Sequence, residues 1–253
     1  MKKLEGKIAV ITGAGQGVGQ GIAFALATDG AAIAVLGRTE SKLKATCEEI
    51  VRRGGKAIPV SCDVNDKDSI LQAVEASVRG LGGVDILVNN AYNGALGPLL
   101  SVSDEEFQQG FISAPYAAFR FMKACHPHMK ARGGGVIVNL VTSAMVRWDA
   151  SGYGPYAAAK QALRALTRAA ASEWGVDGIR AINVAPHADS PALKGWIAAR
   201  PEEAKAFFKT IPLGRIGECE ADIGRGVAAL VSQDLRYLTG ATIPLDGGQA
   251  YFG

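Results

Sequence analysis

The chain has 253 residues, 48% hydrophobic and 20% charged, a balance that excludes a disordered or fibrous protein and allows one large core. Its formal net charge of +3 is spread over scattered lysines and arginines, which argues against nucleic acid or a membrane surface as a partner. Four dispersed cysteines without CxxC spacing, and three histidines without companion ligands, exclude a disulfide framework and leave no metal site to expect.

In chain order, the opening MKKLEGKIAVITGAGQG is basic and then apolar, but its apolar run from Ile8 to Ile11 is too short for a signal core. That run predicts a first buried strand instead, and with no stretch near the ~18 apolar residues of a membrane span the expected location is the cytoplasm. Ala32 to Leu36, Ala57 to Val60, Ile86 to Val88, Val136 to Val138, Ile179 to Val184 and Ala241 to Leu245 predict six more strands. Helical patterns fall between them at 18–29, 40–53, 66–80, 103–131, 153–175 and 219–232. This alternation predicts an α/β fold: one doubly wound, parallel, seven-stranded sheet with helices on both faces, Rossmann-like, forming a single domain over 1–253. The stretch 189–215 breaks the rhythm with two prolines and Trp196, Phe207 and Phe208, and reads as a lid over a substrate pocket inserted in that domain.

Thr12, Gly13, Gly15, Gln16, Gly17, Val18 and Gly19 follow the first strand and open a helix. Glycines there let the backbone turn and approach a pyrophosphate, while the helix start offers N–H groups and its positive dipole end. The second strand ends Gly37-Arg38-Thr39, with no carboxylate before Glu40. A guanidinium suits the 2′-phosphate of NADP, so NADP(H) is favoured, with NAD(H) as the alternative.

Within GPYAAAKQAL, Tyr156 and Lys160 stand four apart on an alanine-rich helix, which puts them on one face about 5–6 Å apart at Cβ. Taken alone, the pair also reads as two amphipathic side chains on an ordinary helix.

Together these residues resemble the short-chain dehydrogenases/reductases, and the similarity spans essentially the whole chain. Thr12 to Gly19 looks like the TGxxxGxG loop, and Asp63-Val64 like the pair that brackets adenine. Asn89-Asn90-Ala91 is similar to the start of NNAG, Tyr156 to Lys160 to YxxxK, Ile179-Arg180, Asn183 and Pro186 to IRVNxxxP, and Leu245-Asp246-Gly247-Gly248 to the DGG end. The resemblance implies that Tyr156 exchanges a proton with a carbonyl or alcohol while hydride moves to or from the nicotinamide. Lys160 would lower the phenol's pKa from its ordinary ~10 and hold the nicotinamide ribose. It also implies cofactor contacts from Asn90, Ala91, Pro186 and Asp189, and a homotetramer or homodimer built on the helices around 103–131 and 153–175.

A hydroxyl should polarise the substrate oxygen. Counting thirteen back from Tyr156 gives Ser143, whereas counting three on from Asn139 gives Thr142. Ser143 is taken, because the family residue is a serine, with Thr142 as the alternative. Three positions depart from the pattern: Tyr92 replaces the last glycine of NNAG, Ala114 falls where an asparagine usually holds a relay water, and His187 follows Pro186 in place of glycine. A backbone carbonyl or Ser113 would have to replace that asparagine, because alanine has no side-chain donor or acceptor. His187 is read as a solvent-facing loop residue, with substrate contact as the alternative. Tyr92, Ala95, Leu96, Met145, Trp148, Tyr153, Trp196 and Phe207 would line a pocket for an apolar carbonyl or alcohol substrate.

Overall fold

The computed structural model describes residues 2–147 and 152–252. Trp148, expected in the substrate pocket, lies outside the described residues. Strands β1 (Ile8–Thr12), β2 (Ala32–Gly37), β3 (Lys56–Ser61), β4 (Ile86–Asn89), β5 (Gly135–Leu140), β6 (Ile179–Pro186) and β7 (Thr242–Leu245) form one sheet in the order β3-β2-β1-β4-β5-β6-β7. All neighbouring pairs are parallel. Each of the seven apolar runs read from the sequence is a strand. Those in the centre are buried on both faces, as their unbroken apolar character requires.

Helices cover both sides. α1 (Gly17–Thr28), α2 (Glu40–Arg52) and, at the far end of the chain, α9 (Arg225–Val231) pack Ile22, Leu26, Leu43, Ile50 and Val227 against one face. α3 (Lys67–Leu81), α5 (Ala117–Ala131) and α6 (Gly154–Glu173) bring Ile70, Phe121 and Leu163 to the other. At the β1/β4 boundary the strand order reverses, which opens a crevice beyond the strands' carboxyl ends.

The helix expected over 103–131 is interrupted. It starts with a capping box between Ser103 and Glu106, runs as α4 (Asp104–Phe111), widens into a π turn at Ile112–Tyr116 and resumes as α5. Pro115, which has no N–H to donate, sits inside the wide turn. A second π turn, Cys219–Gly224, precedes α9. There α1 comes so near that a Cβ on Gly21 would lie 2.3 Å from the Cys219 backbone. The stretch 189–215 forms two short helices, α7 (Pro191–Ala199) and α8 (Pro201–Phe208), each begun by a proline.

Candidate active site

The crevice is a cleft of about 430 Å³. Gly13, Gly15, Gln16, Gly17 and Val18 line it after β1, Arg38 and Thr39 after β2, Val64 after β3, and Asn90 and Ala91 after β4. Gly13 and Gly17 turn with φ of +64° and +58°, a conformation that a side chain would strain. Gln16 is extended and does not cap α1, whose first turn carries no acidic residue, so its leading N–H groups are open to an anion. These features fit a dinucleotide's pyrophosphate.

Lys42, unremarked in the sequence, also lines the cleft and donates to Gln16 Oε1 at 2.5 Å. It lies in the first turn of α2, just after Arg38, and that nearness in sequence was the available signal. Glu40, the nearby acid, is held by Lys44 at 2.7 Å, which keeps its carboxyl below the ordinary range. Ser190 and Pro191, at the start of α7, close another side of the cleft.

Seven expected cofactor residues are not among the described walls of the cleft: Tyr156 and Lys160, described below, and five others. Thr12 is buried, and its hydroxyl accepts from the N–H groups of Asn90 (2.9 Å) and Ala91 (3.0 Å), tying β1 to the loop after β4. Gly19 lies under Asn90, where a Cβ would be 2.5 Å from both Asn90 Nδ2 and the Gly13 carbonyl oxygen. Asp63 accepts from Asn65 N at 3.0 Å and so shapes its own loop. Pro186 ends β6 in register with Leu245, and Asp189 pairs with Lys194 at 3.0 Å. These residues shape or flank the site.

Tyr156 and Lys160 project together, as their spacing requires. Lys160 is 2% exposed and donates from Nζ to the Leu140 carbonyl at 2.7 Å, while the ammonium stands 5.7 Å from the centre of the Tyr156 ring. Burial pushes the lysine down to about 7 and the phenol up to about 12. A buried polar chain anchors α6 behind them. Asn89 donates to Asn139 Oδ1 (2.7 Å), Asn139 donates to Thr167 (2.8 Å), and the Thr167 hydroxyl lies 2.6 Å from Asn183 Oδ1.

The two adjacent hydroxyls after β5 face different ways. Ser143, the expected polarising residue, donates to Asp246 Oδ2 at 2.7 Å and is buried. Thr142 is the hydroxyl on the Tyr156 side, where it favours the phenolate and opposes the upward push of burial. The geometry therefore brings Thr142 to the tyrosine and turns Ser143 toward the chain's final turn.

Ala114 lines a small cavity of about 10 Å³ with Asn89, Ser113 and Lys160, roughly the space of one water. Ser113 is engaged by the backbone of Asn93, donating to its carbonyl (2.9 Å) and accepting from its N–H (3.0 Å). His187, expected to face solvent, instead packs edge-on against Phe207 at 5.1 Å, and burial lowers its pKa. The segment 189–215 causes this difference: α8 brings Phe207 against His187, and Trp196 from α7 meets the same ring at 5.7 Å.

Comparison with known proteins agrees with this architecture. A family model described as enoyl-(acyl carrier protein) reductase matches residues 13–250. The chain is 38% identical to 12alpha-hydroxysteroid dehydrogenase of Clostridium sp. (strain ATCC 29733 / VPI C48-50), over 96% of each protein. It is 34% identical to L-xylulose reductase of Bos taurus, over 97% of each. Among solved structures, a 7 alpha-hydroxysteroid dehydrogenase complexed with NADH and 7-oxo glycochenodeoxycholic acid superposes with a TM-score of 0.93 at 31% identity. That likeness covers 98% of this chain and 95% of that one. The chain belongs to the short-chain dehydrogenase/reductase family. It is an NAD(P)-dependent oxidoreductase acting between hydroxyl and carbonyl groups.

Proposed function

We propose that the protein interconverts a ketone and a secondary alcohol on an apolar, cyclic small molecule, with NADP(H) as the preferred cofactor and reduction as the favoured direction at neutral pH. The observation that carries this reading is the Tyr156 phenol, on one helix face with the buried Lys160, whose ammonium stands 5.7 Å from the ring centre. A nicotinamide bound in the cleft supplies or accepts the hydride. Tyr156, held protonated by burial, gives its proton to the carbonyl oxygen in reduction. Thr142 polarises that oxygen in place of Ser143. Lys160 stabilises the phenolate left behind and binds the nicotinamide ribose.

Arg38 and Lys42 support the preference for NADP(H), because both line the cleft while the neighbouring Glu40 is neutralised by Lys44. The cyclic substrate class is supported by the aromatic ring group of Trp196, Phe207 and His187, and by the hydroxysteroid substrates named for two relatives. We assign residues 189–215 the role of lid, place the enzyme in the cytoplasm, and expect it to work as a homo-oligomer. The test is a screen of steroidal, alicyclic and aromatic ketones against NADPH and NADH, with Tyr156→Phe as control. Turnover that needs Tyr156 and prefers NADPH is expected. Tight NADPH binding without turnover of any ketone would favour a cofactor-binding protein instead.

A further inference from the structure

Tyr92 follows β4, and its ring is built into the site. On one side it meets the Tyr156 ring, with centroids 4.7 Å apart and planes inclined by 56°. On the other, its hydroxyl lies over two glycines. A Cβ on Gly94 would come within 2.3 Å of that oxygen, and a Cβ on Gly110 within 3.1 Å. Side chains at 94 or 110 would displace the ring, so three positions on two chain segments agree in placing it. The buried hydroxyl has no hydrogen-bond partner among the described residues, so the ring carries the interactions, not the oxygen.

The Lys160 ammonium stands 5.1 Å from the centre of the Tyr92 ring. An ammonium has three N–H bonds, and here the Leu140 carbonyl takes one. No carboxylate pairs with it among the described residues, and the ionisable groups on surrounding elements are occupied elsewhere. Asp104, Glu105 and Glu106 form the exposed first turn of α4, and Tyr116 on the π turn is exposed. Asp246, beyond β7, accepts from Ser143, and Arg180 on β6 donates to the carbonyls of Leu230 and Leu238. Tyr153, on the turn before α6, faces the Tyr156 ring at 6.4 Å. What remains to answer the buried charge is one carbonyl and the negative faces of two phenol rings.

We propose that Tyr92 is a positioning residue whose ring face keeps the Lys160 ammonium charged and close to Tyr156. The catalytic meaning rests on the proton exchange proposed above, but the interaction itself is measurable without substrate or cofactor. The ring face is what matters, so phenylalanine replaces Tyr92 and leucine does not.

The experiment is a ¹³Cε-lysine NMR titration of the ligand-free full chain, with the Lys160 signal assigned by Lys160→Arg. Tyr92→Phe is expected to titrate as the parent does. Tyr92→Leu, which keeps the site apolar but removes the ring, is expected to lose the Lys160 proton about half to one pH unit lower. Phenylalanines with one, two and three ring fluorines at position 92 withdraw charge from the face at nearly constant size, and should lower the titration stepwise. This series decides the matter if the leucine variant does not fold. Unchanged titration across the fluorinated series, or a fall in Tyr92→Phe as large as in Tyr92→Leu, would overturn the assignment. Absence of turnover on every ketone would leave it standing.

Discussion

The Ser143 hydroxyl donates to Asp246, 103 residues further along the chain, at 2.7 Å. Asp246 also accepts from Gly248 N and Ala250 N, each at 3.0 Å, so one buried carboxylate ties the loop after β5 to the glycine turn after β7. Ser143→Ala leaves that carboxylate short of a donor. It should cost about 1–3 kcal/mol of stability with a small effect on kcat. Thr142→Ala should do the reverse, lowering kcat by roughly 10²- to 10³-fold with little change in melting temperature. Parallel turnover and thermal unfolding measurements decide, and a larger kcat loss in Ser143→Ala would return the polarising role to the serine.

Arg38 and Lys42 are expected to act together on the cofactor's 2′-phosphate. Replacing either by Ala should lower the NADPH/NADH ratio of kcat/KM by roughly 10- to 100-fold, from the ~1.5–3 kcal/mol of a charge-assisted contact. Glu40→Gln should leave the ratio nearly unchanged, since Lys44 already answers that carboxylate. A ratio insensitive to both basic residues would remove the basis for preferring NADP(H).

Lys160 costs the fold stability. Its pKa lies at about 7 when folded, against 10.5 for an ordinary lysine. Between those values the unfolded chain holds more protons than the folded one, so stability rises with pH, and the full cost is felt below about 7. Lys160→Met should therefore unfold at higher urea at pH 6, by roughly 3–5 kcal/mol as an upper bound, and lose this share of the pH dependence. It should also lose turnover. Urea midpoints at pH 6, 8 and 10 that move in parallel for parent and variant would contradict the buried-cation reading.

Phe207 connects His187, Trp196 and the Arg147 guanidinium, which lies 5.3 Å from its ring centre. If this group forms the lid's apolar wall, Phe207→Ala should raise KM for a cyclic ketone about tenfold or more, through ~1.5–3 kcal/mol of lost burial. The dissociation constant for NADPH should move much less. Equal losses in both would make the lid a general support for the cleft.

The sequence was most readable where a single periodicity decides. Near-continuous apolar runs marked all seven strands, and an i, i+4 pair placed Tyr156 and Lys160 on one face. It was least readable at Thr142 and Ser143. Thr142 is extended (φ −151°, ψ 145°), and neighbours on extended chain point to opposite sides. Counting from Asn139 or from Tyr156 cannot say which side the cleft occupies, because a residue count across an irregular loop carries no direction. Proline signalled trouble inside the long helix, but the choice of a wide turn over a break depends on packing around Ser113 and Gly110. The burial of His187 was hidden for a similar reason: Phe207 reaches it from twenty residues downstream.

The glycine contact between α1 and the segment at Cys219 has a bearing on how the protein is made. Helix α1 leaves the ribosome about two hundred residues before Ile223 and Val227, which seal its apolar side. A nascent chain halted before residue 219 would present Ile22 and Leu26 uncovered, with the loop above them unsteadied. The loop that opens α1 is thus steadied only once those later residues have been made.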